Sequence, residues 1–460
     1  MPAAPGSGVP ELAGVATYGS AARIGYGVEE NVRRLLRYQW TARRVMQTML
    51  ARLPAEPVWE MKGGLALHQW LLAQQVDGIR RRIGEMRHPV PPLDRAPDAR
   101  LDALLEETHR SSDTIELLAG VYGVTLQALR EAYQEHLDTT NPLVDHPTRR
   151  ILRLAQQDLD DALAWARTAL ENLTARDRQA AARTKAWQEH LRAWLAAAGG
   201  IGGPSPPGEA SRPLARAAKP EQSDFHPRRD PRFQGQYNFE FPPHVVYNDP
   251  KVPADERNLA LLCKRTLEMD VPEMMASVMV ERTDQPWEFS LDYSRQLWDE
   301  MRHAMMGSVA FEARGIDWTR IPLNVGFSLR LNLHADPVER QTLLFAIEQS
   351  LMPADTGKRF EYQTAVDAHD PLSAHFHDYD WADEVLHAQI GRRWLRQDGI
   401  PPDRAMERAQ PIHERTWAAL EQYRHLEPQH DWWNDFVQRV LGHPSALPPE
   451  ERAELRIIAE

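Results

Sequence analysis

The chain has 460 residues, a net charge of −12 at pH 7 and one cysteine, Cys263. The excess of acid disfavours a nucleic-acid binder, which needs a basic face. A single cysteine excludes an internal disulfide and a thiolate metal cluster. The length of the chain favours two domains, and a hydrophobic fraction of 42% is enough for packed cores.

Neither a secretory signal nor a membrane span is indicated by the sequence. The first twenty residues lack a basic region followed by an apolar stretch. No apolar run approaches the roughly 20 residues that cross a bilayer. We therefore expect a cytoplasmic protein without a membrane partner.

Residues 28–198 are predicted to form an N-terminal helical bundle that binds no metal. Long amphipathic stretches end at prolines or at the glycine run after residue 198, and short connections between long helices are typical of antiparallel bundles. The third stretch contains two glycines, Gly120 and Gly123, where it can break. His68 is interpreted as a hydrogen-bonded core histidine. The predicted helices span residues 28–53, 59–87, 99–138 and 146–198.

Residues 199–253 are predicted to be a Pro/Gly-rich linker followed by an extended segment. Glycine and proline are concentrated from Gly199 to Pro231, and neither residue supports a helix there. The basic stretch from Arg212 to Arg232 is interpreted as solvated linker. Residues 237–253 are predicted to lie extended over one of the domains.

Residues 254–440 are predicted to form a second helical domain with a C-terminal helical extension. Its first helix covers residues 254–281. Residues 316–334 include the alternating sequence NVGFSLRL and are predicted to be an extended crossover between the middle helices of a four-helix bundle. Asp336 and Pro337 then suit the cap and first position of a helix.

Two nine-residue stretches of this second domain repeat each other: DEMRHAMMG at 299–307 and DEVLHAQIG at 383–391. Glu and His three positions apart share one helix face, where they can bind a divalent metal together. Carboxylate-bridged bundles take such a pair from each of two helices and a single glutamate from each of the other two. The ligands predicted from the motifs are Glu300, His303, Glu384 and His387.

Glu268 is the predicted single glutamate ahead of the first motif. Glu268 and Glu300 lie 16 positions on either side of Asp284, so they stand at the same height in an antiparallel pair. Pro272 leaves the carbonyl of Glu268 without its helical partner and predicts a kink there. Glu273 is the alternative on this helix.

Glu348 is the predicted single glutamate ahead of the second motif. It precedes the motif glutamate by 36 residues, close to the 32 residues of the first pair. A proline and a glycine between them leave the turn unplaced, so Glu361 and Glu339 stay open as alternatives. Two histidines of the following turns, His375 and His377, are predicted to lie at the surface.

With these residues the chain resembles the ferritin-like superfamily of di-iron proteins, which includes rubrerythrins, ribonucleotide reductase small subunits and bacterial multicomponent monooxygenases. The second motif, continued to Trp394, is similar to a poorly characterised bacterial ferritin-like family. The resemblance covers residues 254–398 and implies an all-α fold with a ferritin-like four-helix bundle. It also implies that Asp299 and Asp383 hydrogen-bond the ligand histidines, which fixes their rings.

The resemblance implies two iron ions, although manganese fits the same nitrogen and oxygen ligands, and O₂ as co-substrate. The predicted function is that of a non-haem di-iron oxidase or oxygenase acting on a small-molecule substrate with an unidentified electron donor. Iron storage, peroxide detoxification and a non-catalytic binding module remain as alternatives. The N-terminal bundle is expected to be a pocket wall, a homodimer surface or a docking domain for a partner.

Overall fold

A computed structural model describes residues 9–175, 178–203, 213–217, 223–233, 242–323, 325–426 and 432–447. Within these residues the prediction of an all-α protein is confirmed, and no β-strand occurs. No helix in this part of the chain is both long and apolar enough to cross a membrane.

The α-helices differ widely in length, and shorter helical turns connect several of them. The turns are of 3₁₀ type at Glu11–Gly14, Trp318–Arg320 and Ala419–Leu426 and of π type at Leu118–Leu126. The α-helices are α1 (Tyr18–Ala21), α2 (Val28–Arg52), α3 (Trp59–Met86), α4 (Ala99–His109), α5 (Thr114–Leu117), α6 (Gln127–Thr139), α7 (His146–Thr174), α8 (Arg178–Ala197), α9 (Pro242–Val246), α10 (Ala254–Leu267), α11 (Asp270–Glu281), α12 (Trp287–Glu312), α13 (Gly326–His334), α14 (Pro337–Ser350), α15 (Lys358–Asp367), α16 (Pro371–Gln397), α17 (Pro402–Ala418) and α18 (Trp432–Leu441).

The chain divides into two compact units. The first consists of Met1–Met49 and His68–Gln222, and the second of Leu50–Leu67 and Ser223–Glu460. The end of α2 and the start of α3 thus belong to the second unit. Residues 50–67 were grouped with the N-terminal bundle on sequence, because nothing in their composition separates them from the helices on either side.

The first unit has more helices than its sequence predicts. The stretch predicted as one helix over 99–138 is α4, α5, the π-helical turn and α6, and the stretch over 146–198 is α7 and α8. No proline or glycine marks the second break. Trp187 and Leu191 of α8 pack instead on Ala119 and Val124 of the π-helical turn. Tertiary packing therefore decides where this helix ends.

His68 is a satisfied core histidine, as its apolar surroundings predict. It is buried, and its Nδ1 lies 2.9 Å from the hydroxyl of Tyr122. Burial lowers the pKa of His68 to about 4, so the ring is neutral at pH 7.

In the second unit, helices from four parts of the chain pack in a closed cycle. Helix α10 packs on α12 and α15, α12 packs on α16, and α16 packs on α14 and α15. Helices α10 and α11 form one arm of the cycle, with a break between Leu267 and Asp270. The break falls at the predicted kink. The amide of Val271 reaches back to the carbonyl of Glu268 at 3.2 Å, in place of the donor that Pro272 lacks.

The last glycine of each motif lies where two helices of the cycle approach closely. A Cβ atom at Gly307 of α12 would lie 2.9 Å from the backbone nitrogen of Thr266 in α10, and one at Gly391 of α16 would lie 2.9 Å from the ring of Phe345 in α14. Gly307 therefore lets α12 approach α10, and Gly391 lets α16 approach α14. Glu268 directly follows α10, and Glu348 lies in α14.

The prediction of an extended segment before residue 334 is wrong, because residues 326–334 form α13. Alternation of polar and apolar residues favours a strand when the polar side faces water. Here the polar side chains are buried and hydrogen-bonded: Ser328 donates to Glu273 at 2.8 Å, Arg330 to Thr416 at 2.6 Å, and Asn332 accepts from Ser277 at 2.8 Å. Asn324 lies outside the described residues.

The interpretation of the basic stretch as solvated linker is wrong for its C-terminal part. Arg229 and Asp230 are buried. The amide of Arg228 donates to the carbonyl of Pro54 at 3.2 Å, and Asn332 donates to the carbonyl of Phe225 at 2.9 Å. Residues 223–233 are therefore packed into the second unit. Residues 242–246, predicted as extended, form the short helix α9.

Candidate metal centre

The six side chains predicted as metal ligands come together inside the second unit. Five of them are buried, and the side chain of Glu268 is 12% exposed. Their positions are α12 for Glu300 and His303, α16 for Glu384 and His387, the end of α14 for Glu348, and the break after α10 for Glu268. Helices α12, α14 and α16 and the break after α10 thus each supply at least one of them, whereas α15 supplies none.

Three carboxylates surround the ring of His387 and form what we call the His387 side. The Nδ1 atom of His387 lies 3.1 Å from Glu300 Oε1, 3.2 Å from Glu384 Oε2 and 3.9 Å from Glu348 Oε1. All four residues could offer one ligand atom to a single ion. One imidazole nitrogen with several carboxylate oxygens is a ligand set that suits iron, manganese or zinc.

The ring of His303 has a similar arrangement, which we call the His303 side. Its Nδ1 atom lies 3.6 Å from Glu268 Oε2, 3.8 Å from Glu300 Oε2 and 3.9 Å from Glu384 Oε1. Glu300 and Glu384 therefore turn one oxygen toward each histidine. This is how carboxylates that bridge two metals are placed, whereas Glu268 and Glu348 each belong to one side.

Asp380 belongs to the His303 side, and the sequence reasoning missed it. Its Oδ1 lies 3.3 Å from His303 Nδ1, and together with Glu268 the two residues could hold an ion. A signal existed, because Asp380 precedes Glu384 by one helical turn and shares its face. Comparison of the two motifs does not point to Asp380, because the first motif has Gln296 at the equivalent position. Gln296 precedes Asp380 by 84 residues, as Glu300 precedes Glu384.

The aspartates before the motif glutamates hold the histidine rings of the opposite motif. Asp383 of α16 lies 3.2 Å from Nε2 of His303 on α12, and Asp299 of α12 lies 3.5 Å from Nε2 of His387 on α16. Each Nε2 then faces a carboxylate and each Nδ1 faces the cluster, which is the orientation metal-binding imidazoles need. Which aspartate serves which histidine could not be predicted from either helix alone.

Two arginines of α12 hold these aspartates in turn. Arg295 Nε lies 2.7 Å from Asp299 Oδ2, and Arg295 Nη2 lies 3.5 Å from Asp383 Oδ1. Arg302 pairs with Asp299 and lies 2.8 Å from Asp383. Hydrogen bonds from these cations and from His387 outweigh the effect of burial and hold the pKa of Asp299 well below its usual value.

A buried lysine, Lys358, lies at the edge of the His303 side. Its Nζ is 2.9 Å from Asp380 Oδ2, 2.9 Å from Glu384 Oε1 and 3.8 Å from Glu268 Oε1. Arg265 also pairs with Asp380 and lies 2.9 Å from Glu268. No local pattern in the sequence indicates Lys358, because this residue opens a different helix, α15, and meets the motif only through packing.

The alternative glutamates lie elsewhere. Glu273 is paired with Lys62 and Arg229 in a separate network. Glu339 accepts the backbone amide of Asp336 in a capping box at the start of α14. Glu361 is buried next to the centre, but Lys264 and Arg265 hold it, so the structure favours Glu348 as the fourth carboxylate.

His377 is buried, so its predicted surface position is wrong, whereas His375 is exposed. His377 Nδ1 lies 3.8 Å from Glu361, and with Asp380 these residues form a third group that could hold an ion. Burial, together with the nearby charge of Arg265, lowers the pKa of His377 to about 4. Because Lys264, Arg265 and Lys358 all approach Glu361 within 4.0 Å, this group already has its cations.

Burial and crowding shift the pKa values of several groups in the cluster. Burial raises the pKa of Glu348 well above its usual value, and the charges of Glu384 and Glu300 raise it further. Burial likewise raises the pKa of Glu268 to about 7. Burial disfavours a charged His303, yet Asp380 and its hydrogen-bonded carboxylates outweigh burial and raise its pKa to about 10. A bound cation would relieve this crowding and displace protons from these groups.

The donor atoms also fit a metal. Buried polar atoms are nearly always hydrogen-bonded, and an unpaired one costs about 1–3 kcal/mol. Besides His387 Nε2, which faces Asp299 at 3.5 Å, four atoms of the cluster have no hydrogen-bond partner among the described residues: Glu268 Oε2, Glu300 Oε1, His303 Nδ1 and Glu348 Oε2. All four belong to predicted ligands, so the residues present suit one divalent ion on each side.

Comparison with known proteins returns no relative: no family model, no curated protein and no solved structure matches the chain. The interpretation of the centre therefore depends on the residues and distances given above.

Proposed function

We propose that the chain binds two divalent metal ions, iron in preference to manganese, and uses them with O₂ to oxidise a small molecule. The observation that carries the proposal is that Glu300 and Glu384 are shared between the two histidines. Each glutamate has one oxygen toward His303 and one toward His387. An isolated Glu–His pair binds one ion. Two carboxylates shared between two imidazoles support a pair of ions in a single centre.

Part of the proposal is that the helical cycle of the second unit is a ferritin-like bundle. Its support is the cycle of α10, α12, α16 and α15, with α14 packed on α16 and α11, and the long connection from Glu312 to Pro337 between the middle helices. Such bundles place two Glu-x-x-His pairs and two single glutamates in their core. The residues of this chain follow that pattern.

When bound, a pair of ferrous ions would supply electrons for the reduction of O₂. The chain's own residues would position the ions and limit the access of water. Asp299 and Asp383 fix the two rings, with Arg295 and Arg302 behind them. Five of the six ligands are buried, so a small substrate would approach on the side of Glu268, the one partly exposed ligand.

The proposal is tested by loading the metal-free full chain with two equivalents of ferrous iron without air and then adding O₂. We expect O₂ consumption with a transient absorption band in the near-ultraviolet or visible range. The ligand variant His387→Ala should lose both. The matched control Glu339→Gln, which changes a glutamate of the capping box, should keep both.

Other results would contradict this function in different ways. Continued growth of a ferric mineral beyond two irons per chain, without a transient band, would indicate iron storage. Turnover of peroxide without O₂ consumption would indicate detoxification. Failure to bind iron at all would indicate a non-catalytic helical module.

A further inference from the structure

The two sides of the centre differ in the charges around them. On the His387 side, Glu348 accepts a hydrogen bond from the neutral amide of Gln296 at 3.2 Å, and the described ion pairs of Glu300 and Glu348 are with histidine rings. On the His303 side, Lys358 and Arg265 approach Glu268 and Asp380. The repeat thus gives each side a Glu–His pair and a single glutamate, whereas Asp380, Lys358 and Arg265 lie on the His303 side.

The asymmetry is built at equivalent positions of the repeat. Gln296 and Asp380 each precede their motif glutamate by four residues. Gln296 brings no charge to the His387 side. Asp380 brings a buried carboxylate, and Lys358 contacts it at 2.9 Å. Because burying a lysine requires such partners, Asp380 helps Lys358 to remain buried in this position, together with Glu384 at 2.9 Å.

Lys358 also contacts atoms that a metal would need. Its Nζ is 2.9 Å from Glu384 Oε1, the oxygen that faces His303, and 3.8 Å from the terminal carboxylate Glu268. A metal ion on the His303 side would compete with the Lys358 ammonium for these carboxylate oxygens. The metal ion and the ammonium would also repel each other at short range. In the described part of the chain, the ion pairs of Glu300 and Glu348 include no lysine or arginine that would compete in this way.

We propose that Lys358 makes the two metal positions unequal. The His387 side binds the first ion tightly, and the His303 side binds the second ion more weakly because Lys358 competes for its carboxylates. This inference rests on the proposed two-metal centre and adds its order of filling. Lys358 is thereby a residue that sets metal stoichiometry, and a chain with limited metal would hold one ion beside His387.

The test is an air-free titration of the metal-free full chain with Mn²⁺, followed by calorimetry and electron paramagnetic resonance. For the wild type we expect one tight ion with the signal of isolated Mn²⁺ and a second ion bound about tenfold or more weakly. Lys358→Met should strengthen the second ion by about tenfold or more and give the signal of a coupled pair at two equivalents. Lys358→Arg, which keeps the charge, should leave the second ion weak.

Two further variants separate this effect from a loss of folding. Lys358→Met leaves Asp380 with one cation fewer, whereas the double variant Lys358→Met with Asp380→Gln removes a cation and an anion together and puts an amide four residues before Glu384, as Gln296 already is before Glu300. It should also bind two ions of similar affinity. The control Lys62→Met removes a buried lysine of the same unit from the Glu273 network and should keep the wild-type pattern.

A measurement on the unaltered chain completes the test. In crystals soaked with half an equivalent of Mn²⁺, anomalous scattering should appear beside His387 and not beside His303. Equal scattering on both sides, or a second affinity that neither Lys358→Met nor the double variant changes, would overturn the role of Lys358 while leaving a two-metal centre in place. No Mn²⁺ or Fe²⁺ binding by the wild type would overturn the proposed function, and this inference with it.

Discussion

Two clusters of buried acids lie in the second unit, and they are neutralised differently. In one, Glu273 and Asp270 meet Arg229 and Lys62: Lys62 Nζ lies 2.5 Å from Glu273, and Arg229 lies 2.7 Å from Asp270 and also pairs with Glu273. Ser328 donates a hydrogen bond to Glu273 as well. This cluster is a closed network of protein charges.

In the other cluster, the motif glutamates face histidine rings and one another, and Glu384 also meets the ammonium of Lys358 at 2.9 Å. Glu300 and Glu348 keep oxygen atoms without a hydrogen-bond partner in the described part of the chain. A buried carboxylate without a cation is costly. The comparison teaches that a high density of buried acid does not by itself indicate a metal. The unpaired donor atoms beside the motif histidines are what supports the proposal of a metal at this cluster and not at the other.

The largest expected effect comes from substituting one glutamate of each cluster. Glu273→Gln leaves Arg229 and Lys62 without a full partner, and breaking a buried ion pair costs about 3–5 kcal/mol. We expect this loss in the free energy of unfolding, measured with denaturant, both with and without metal. Metal affinity of the folded variant should not change.

Glu300→Gln should behave in the opposite way. Without metal it removes one of several crowded carboxylates, so the free energy of unfolding should stay the same or rise. With metal it should lose the stabilisation that binding gives, which is about 2.7 kcal/mol per site at a free metal concentration 100 times Kd. A metal-free Glu300→Gln protein destabilised as much as Glu273→Gln would contradict the distinction between the two clusters.

Alanine substitution of the two motif glycines, Gly307 and Gly391, is expected to lower the free energy of unfolding by a smaller amount. Gly307→Ala brings a methyl group against the backbone of Thr266, which cannot move without shifting α10. We expect a loss of about 1–3 kcal/mol in unfolding free energy and weaker metal binding on the His303 side, because α10 leads into Glu268. Gly391→Ala meets the ring of Phe345, which can rotate, and should cost less.

Denaturant unfolding and Mn²⁺ titration of the two alanine variants check this order. If Gly391→Ala proved the more harmful, the close approach of α10 and α12 would not be what positions Glu268.

The repeated motif and the helix signals allowed much of the centre to be predicted from sequence. Glu–His spacing fixes which residues share a helix face, Pro272 predicts the break that exposes Glu268, and Asp336 with Pro337 predicts the start of α14. These are local effects, and local sequence determines them. The prediction of a two-metal centre at these residues awaits metal analysis.

Features that depend on contacts between distant parts of the chain were not predicted. Lys358 enters the centre from α15, and Arg229 is buried because Asp270 and Glu273 bind it. The alternation in α13 suggested a strand, although its polar side chains have buried partners on other helices. In each case the partner of a charged or polar residue lies far away in sequence, where no local pattern indicates it.

The most direct test of the account is anomalous diffraction from crystals of the full chain saturated with metal, recorded at the absorption edge of that metal. We predict two peaks, one beside Nδ1 of His303 and one beside Nδ1 of His387, with Glu300 and Glu384 between them. No peak at the Glu273 network is expected. Absence of both peaks after growth and soaking with excess iron, or peaks at other residues, would contradict the central claim.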